Sequence, residues 1–326
     1  MIRAALIGLG WWGGELAAAA QRLDGPLRIA ACTSLSRDET QAFAERLGAR
    51  PLTSYEAALA APDIDAVILA TPHSLHAEQV IAAAEAGKHV FVEKPFALEV
   101  ASAEAATAAC ADAGVALAVG HNRRFSAGAR ALKDLVERGA LGTLLHVEGH
   151  FSSNSAMRYR PDQWRAQRAE APGGALASIG LHLLDVMMWL FGPIERVACQ
   201  ARRRAVPVGI EDTTSALLQF ESGMTGYLAS HFACPLTFHF HVAATAANAL
   251  ARADFTELVL QTAADRTDAV PLAPVDTLVA ELAAFVDACQ GKAPFPVTPA
   301  EAIRNIAVLE ALVRSAAADG AWTRVG

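Results

Sequence analysis

Three groups of residues in this chain have the types and spacing to do chemistry. The first is Gly8-Leu9-Gly10-Trp11-Trp12-Gly13, which follows an apolar run, Ile2 to Ile7, and opens onto an alanine-rich helical pattern near Glu15. Between a strand and a helix, G-x-G-x-x-G is a dinucleotide fingerprint. Gly8 permits the tight turn, Gly10 lets the backbone approach a pyrophosphate, Gly13 allows helix and strand to pack closely, and the helix's leading N–H groups meet the phosphates. Trp11 and Trp12 are counted with these cofactor residues. The second group is Glu93-Lys94-Pro95, whose lysine ends an apolar strand; burial there would disfavour the ammonium and suit it to proton transfer. The third is Ser178, His182 and Asp185, which at spacings of four and three residues share one face of a helix.

Positioning these groups takes alternating elements. Strand-like runs at 2–7, 27–32, 66–70, 89–92 and 115–119 are separated by helical patterns at 38–47, 74–86 and 99–113. Continuous apolar strands imply a doubly wound parallel sheet buried on both faces, with one ligand-binding edge near Thr71, Glu93 and His121. After about Gly120 the pattern changes. A helix at 129–138, an extended run at 143–151, a polar loop, the His182 helix and strands at 197–203, 213–220, 225–232 and 237–243 predict an α+β unit on an open, predominantly antiparallel sheet. Gly223 supplies hairpin chemistry, and helices at 275–289 and 299–317 close the chain, the last with Thr298 as N-cap and Pro299 in its first turn. The expected domains are a Rossmann unit at 1–120 and a substrate-binding and oligomerisation unit at 121–326.

At 326 residues the chain can bury two cores. A net charge of −7, with no lysine/arginine run longer than the short Arg202-Arg203-Arg204 cluster, argues against nucleic acid. The five cysteines, Cys32, Cys110, Cys199, Cys234 and Cys289, have no Cys-x-x-Cys spacing and read as reduced thiols, neither a disulfide framework nor a zinc site, so no metal is expected. No segment reaches the roughly 20 unbroken apolar residues of a membrane helix. Met1 runs directly into the first strand, so no secretory leader is expected and the cytoplasm is the default compartment.

Together the fingerprint, Thr71-Pro72, His76, the run from Gly87 to Pro95, and Gly173-Gly174 followed by His182-x-x-Asp185 resemble the Gfo/Idh/MocA oxidoreductase family over nearly the whole chain. The resemblance implies an NAD(P)-dependent dehydrogenase or reductase acting on the CH–OH group of a sugar, polyol or cyclic diol. It implies Lys94 and His182 as catalytic residues, a Lys-Pro bond that is often cis, and Asp185 as a supporting acid that orients the imidazole or binds substrate on a face meeting the nicotinamide cleft. Relatives also place Asn122 and Arg124 toward substrate and assemble as dimers or tetramers; the exposed face of the second sheet suits such a homo-oligomer. Sugar and inositol dehydrogenases of the family usually carry aspartate at Ser178. Serine hydrogen-bonds a substrate hydroxyl without supplying charge, which weakens a polyol assignment more than it weakens hydride transfer. Two alternatives stay open: glycoside hydrolysis assisted by transient NAD reduction, and a non-catalytic cofactor-sensing regulator.

Cofactor choice turns on Ala31 to Asp38. No carboxylate precedes Asp38, whereas Thr33, Ser34, Ser36 and Arg37 have the chemistry to hold a 2′-phosphate, so NADP is expected ahead of NAD, with Asp38 the alternative ribose ligand. Thr71, Pro72, His76, Glu93 and Lys94 complete the expected cofactor set, Glu93 holding Lys94 or the cofactor, or capping the next helix. The loop 152–172 carries Arg158, Tyr159, Arg160, Trp164, Arg165 and Arg168 just before the His182 helix. It reads as a substrate lid in which arginines and Trp164 clamp an anionic group, or equally as solvated charge or a subunit contact.

Overall fold

Strand β1 (Ile2–Ile7) is almost entirely buried, as its unbroken apolar run requires. Helices and strands then alternate: α1 (Trp11–Arg22), β2 (Leu27–Thr33), α2 (Arg37–Leu47), β3 (Arg50–Pro51), α3 (Tyr55–Leu59), β4 (Ala66–Leu69), α4 (His76–Glu85), β5 (His89–Glu93), α5 (Val100–Ala113) and β6 (Leu117–Gly120). The six strands lie in the order β3-β2-β1-β4-β5-β6 and every pairing is parallel, which is the doubly wound Rossmann sheet the alternation predicted. The strand order reverses between β1 and β4, so the loops leaving these two strands form the rim where such sheets bind ligands. The computed structural model describes residues 1–326 as two units, one of Met1–Asn122 with Asp276–Ile303 and one of Arg123–Val275 with Arg304–Gly326.

That division differs from the one expected at residue 120. Helix α8 (Thr277–Cys289) returns to the first unit. Its Phe285 meets Phe91 of β5 edge-on at 5.7 Å, Asp276 at its N-cap pairs with Arg22 of α1 at 2.8 Å, and Asn122 donates to the Thr277 hydroxyl at 3.2 Å. An amphipathic helix goes where its apolar face is covered, and chain order does not decide that.

The second unit contains α6 (Ala127–Glu137), β7 (Leu144–Ser152), α7 (Leu181–Phe191), β8 (Ile194–Arg202), β9 (Thr213–Phe220), β10 (Thr225–His231), β11 (Thr237–Ala244), β12 (Asn248–Arg252), β13 (Glu257–Ala263), β14 (Arg266–Ala269), most of α9 (Pro299–Ala317) and β15 (Thr323–Arg324). Its nine strands run β14-β13-β12-β11-β7-β10-β9-β8-β15, antiparallel except for the parallel β7–β10 pair. Side chains of α6, α7 and α9 cover one face: Leu132, Leu183, Met187, Val308 and Leu312 join Val147, Leu218, Phe240 and Val242 in one core. Gly149 lets α7 sit close, since a Cβ there would lie 2.5 Å from the Met187 methyl.

The strand pattern misses β12 to β14. β12 and β13 are joined by a left-handed turn of three consecutive non-glycine residues, Ala253, Asp254 and Phe255 (φ 47°, 55° and 63°), which carries no glycine signal. Tertiary contacts hold it: Phe255 is fully buried, its carbonyl accepts from the Gly128 N–H at 3.0 Å, and Arg123 grips Asp254 through two bonds of 2.8 and 3.0 Å. At the start of α9, Thr298 and Glu301 form a reciprocal capping box, as the Thr-Pro sequence suggested for this helix start.

Candidate active site

In the first unit the fingerprint is built as its glycines require. Gly8 has φ +92°, and a Cβ there would lie 2.5 Å from the Ala70 carbonyl oxygen; a Cβ on Gly13 would lie 2.1 Å from the Gly8 carbonyl oxygen. Gly10, by contrast, faces open space, with nothing within 4 Å of its virtual Cβ. Helix α1 starts immediately after it with no side-chain cap and no acidic residue in its first turn, so its positive end is available to an anion. Trp11 is 75% exposed, and the Trp12 indole N–H, a donor only, is buried without an acceptor. These residues fit a dinucleotide: an approachable backbone, uncapped amides and a donor in waiting.

The neighbouring loops bring the rest of the expected set to the same sheet edge. Thr71 follows β4 and donates its hydroxyl to Gln79 Oε1 at 2.6 Å. His76, expected to touch cofactor, is instead fully buried, its ring nitrogens 2.8 Å from the Pro95 carbonyl oxygen and 3.0 Å from that of Thr71. Glu93 ends β5 nearly buried; its carboxylate packs over Gly120 of β6, where a Cβ would come within 2.8 Å, and accepts the Lys94 N–H at 3.2 Å. It does not cap α5, whose N-cap is Glu99. Lys94 is half-buried at the strand end and the Lys94-Pro95 bond is cis.

At the end of β2 the serines are less available than the sequence suggests. Ser36 caps α2, accepting the Glu39 N–H at 3.2 Å, and the Ser34 hydroxyl lies 2.9 Å from the Glu39 carboxylate. Arg37 and Asp38 are both exposed in the first turn of α2. Glu39 is the residue that sequence reasoning missed here. Its signal was present, since Ser36-x-x-Glu39 is the spacing of a capping box.

In the second unit the helix expected to carry Ser178, His182 and Asp185 is not uniform. Leu176–Gly180 forms a π-helical turn and α7 begins only at Leu181, so Ser178 stands on a wider turn than His182 and Asp185. The positive-φ pair Gly173-Gly174 leads into it; a Cβ on Gly174 would overlap the Glu211 carbonyl, 1.7 Å away. Ser178 is half-buried, and the His182 ring is buried 6.3 Å from that of Phe151.

Arg124, expected to face substrate, and Asp185, expected to orient the imidazole or bind substrate, are engaged with each other. They form a bidentate pair at 2.8 and 2.7 Å with side chains 1% and 2% exposed, and Asn305 of α9 donates a further bond of 2.8 Å to Asp185 Oδ1. Each charge has been taken out of water and neutralised by the other. Asn122, the third residue of that segment, is turned to Thr277 within the first unit.

Loop 152–172 is anchored. Ala156, Ala166 and Ala171 join Val206, Val208, Ile210 and Phe232 in a small core of their own, with the Tyr159 ring edge-on to Phe232. Arg160 pairs with Asp162, Arg168 with Glu211 at 2.6 Å, and the Arg165 guanidinium lies 4.1 Å over Trp164. The aromatic floor expected for an anionic substrate is therefore covered by the loop's own arginine, and Arg158 is the exposed loop arginine with no carboxylate against it.

With both sheets in view, the comparisons decide the family. A family model for the "Oxidoreductase family, NAD-binding Rossmann fold" matches residues 2–121, and one for the "GFO/IDH/MocA C-terminal domain" matches residues 129–249. The chain belongs to the Gfo/Idh/MocA oxidoreductase family. This member is 30% identical to a 1,5-anhydro-D-fructose reductase of Ensifer adhaerens over 300 residues, covering 89% of each chain. Among solved structures it is similar to a putative NADPH-dependent oxidoreductase of Desulfitobacterium hafniense (TM-score 0.93, 28% identity, 99% of this chain and 97% of that one). It is also similar to a levoglucosan dehydrogenase in complex with NADH and levoglucosan (TM-score 0.90, 25% identity, 100% and 99%). As a Gfo/Idh/MocA protein it is an oxidoreductase whose first domain is an NAD-binding Rossmann fold. No helix is long and apolar enough to cross a membrane.

Proposed function

We propose that the chain moves a hydride between nicotinamide and a hydroxyl-bearing carbon of a sugar, polyol or cyclic diol. The observation that carries this reading is the half-buried Lys94 at the end of β5, on the same sheet edge as the open Gly10 backbone and the uncapped α1. The bound nicotinamide would accept or return the hydride. The glycine loop and the α1 amides hold the pyrophosphate, Trp12 offers its N–H, and Lys94 gives or takes the hydroxyl proton. In the second unit, the family resemblance supports His182 as a catalytic residue and Ser178 as a residue that hydrogen-bonds substrate. An anionic substituent would be met by Arg158. The names of the reductase and of the levoglucosan-bound dehydrogenase support the substrate class.

For the cofactor, Arg37 supports use of NADP by pairing with the 2′-phosphate, and Glu39 beside Ser34 opposes it and suits the ribose hydroxyl of NAD. Both forms are used, with the balance set between these two side chains. The half-exposed sheet face that carries His150, His231, His239, Glu148 and Tyr227 supports a homodimer or homotetramer. A dehydrogenase screen with NAD and NADP against sugars, inositols, sugar acids and aromatic dihydrodiols, followed by absorbance of the reduced nicotinamide, tests the reading. Stoichiometric accumulation of reduced cofactor is expected. Glycosidic cleavage without accumulation, or cofactor binding with no turnover of any of these, would sink it.

A further inference from the structure

The helices of the second unit cover one face of its sheet, and the side chains that alternate with the core residues stand on the other, open face. The four central strands β9, β10, β7 and β11 contain no lysine, arginine or aspartate and a single glutamate, Glu148. Their open face instead carries five of the chain's ten histidines: His146, His150, His231, His239 and His241. Charge returns at the flanks, with Arg252 opposite Glu257 on β12 and β13 and Arg196 and Arg202 on β8. Tyr227 and Leu217, paired across β10 and β9, are 36% and 50% exposed near the middle. A centre depleted of fixed charge, an exposed aromatic and a charged rim are the anatomy of a protein interface. Strands β7 to β13, of five to nine residues each, lay out about 30 Å by 25 Å, or about 750 Å², close to the roughly 800 Å² that each partner of a stable pair buries.

We propose that a second copy of this chain docks on this face only while His150, His231 and His239 are neutral, so that acid releases the assembly. The proposal rests on the homo-oligomer reading above and is independent of the hydride-transfer reading. The three rings form one cluster: His150 lies edge-on to His231 at 5.1 Å and to His239 at 6.1 Å, and its Nε2 is 2.6 Å from the Ser152 hydroxyl. Neutral rings pack this way at no electrostatic cost. Protonated rings repel at that spacing, which water screens on an open face and a docked partner does not. The titratable and charged groups around His150 are His146 and Glu148 on its own strand, Tyr227 and His231 on β10, and His239 and His241 on β11, with Cys234 in the connection between those two and Arg252 beyond His239 on β12. Only Glu148 could offset added protons, and it is 3.9 Å from His239. Burial, followed by the rings of His231 and His239, already pushes the His150 imidazole below its ordinary 6.5. A partner that removes more water pushes it further the same way. The assembled state therefore binds fewer protons than the separate chains, and falling pH favours separation.

The test is sedimentation velocity of the whole chain over a concentration series at about pH 8 and about pH 5.5, at one ionic strength, with circular dichroism at both. Carboxylates titrate near 4 and stay charged throughout, so histidines dominate the change. With one proton taken up by each chain of a pair, the association Kd is expected to rise about a hundredfold, the fold remaining intact. The variant His150→Gln/His231→Gln/His239→Gln, polar and without titration, is expected to assemble equally at both pH values. Should it not fold, His150→Gln and the exposed His239→Gln taken singly are each expected to shrink the pH effect. Tyr227→Glu is expected to leave a folded single chain at pH 8. Equal assembly of the native chain at both pH values would overturn acid release and leave the homo-oligomer reading standing, whereas a single chain at pH 8 would overturn both. Separation that accompanies unfolding, a pH effect undiminished in the histidine variants, or assembly indifferent to Tyr227→Glu would also refute the proposal.

Discussion

The rim of the first sheet and the head of α7 in the second unit solve the same problem, the placement of polar groups, by opposite means. At the rim, backbone does the work: Gly8, Gly10 and Gly13 bring peptide groups together where any Cβ would intrude or be wasted, and Lys94 is placed by the end of its own strand. At the head of α7, side chains far apart in sequence do it. Arg124, Asp185 and Asn305 meet in a buried network, and the helix below it is widened into a π turn. Backbone devices are local and tolerate change around them. A buried ion pair depends on every partner at once.

The sharpest way to break this contrast is Lys94→Ala. Loss of a positioned proton-transfer group is expected to lower kcat about 10²- to 10⁴-fold with the fold and cofactor binding retained, measured on a substrate from the screen beside circular dichroism. Unchanged turnover would remove Lys94 from the chemistry. Next in size is Arg124→Ala, which leaves Asp185 charged and buried. It is expected to cost about 3–5 kcal/mol in denaturant unfolding, and Arg124→Met with Asp185→Leu to recover much of that. A loss under about 1 kcal/mol would show that the network is not what holds the second unit.

Smaller, and confined to the rim, is Arg37→Ala against Glu39→Gln. The first is expected to raise the NADP Kd about tenfold, the scale of one charge-assisted contact, with NAD binding little changed, and the second to lower the NADP Kd and raise that of NAD. Movement in the same direction would show that neither faces the 2′ position. The smallest effect concerns acid. Burial pushes the Asp212 carboxyl up, but the N–H groups of Ala205, Val206 and Arg204 and the Thr213 hydroxyl outweigh it and hold it below the usual 3.8. A carboxylate depressed in the folded state adds stability above its unfolded value and loses it as pH falls through the folded one. Unfolding free energy should therefore drop less steeply below pH 4 in Asp212→Asn than in the native chain; identical slopes would refute the assignment.

How far the site could be read ahead of the structure follows from the same contrast. The fingerprint, Lys94 at its strand end and the parallel sheet were legible because the residues that build them are neighbours in the chain. Asp185 was legible as a charged group on the face of His182, but its role was misjudged: its partners lie 61 and 120 residues away and no periodicity points to them. His76 was picked out by its motif and assigned to the cofactor, whereas burial gives it two carbonyls. Glu39 was overlooked although Ser36 three residues earlier announced the cap. In loop 152–172 the arginines and Trp164 drew the reading, whereas Ala156, Ala166 and Ala171, which form the loop's own core, carry no pattern that announces it in so polar a stretch.

The sequence by itself determined the alternation of strand and helix, the dinucleotide turn and the family, since each rests on short-range pattern: residue periodicity, glycine stereochemistry and a contiguous motif. Tertiary structure alone decided which charges are spent on each other, that α8 belongs with the first sheet, and that Ala253 to Phe255 turn left-handed. Those outcomes depend on what each group finds to cover, neutralise or hydrogen-bond it once the chain is compact, and residues distant in sequence supply that environment.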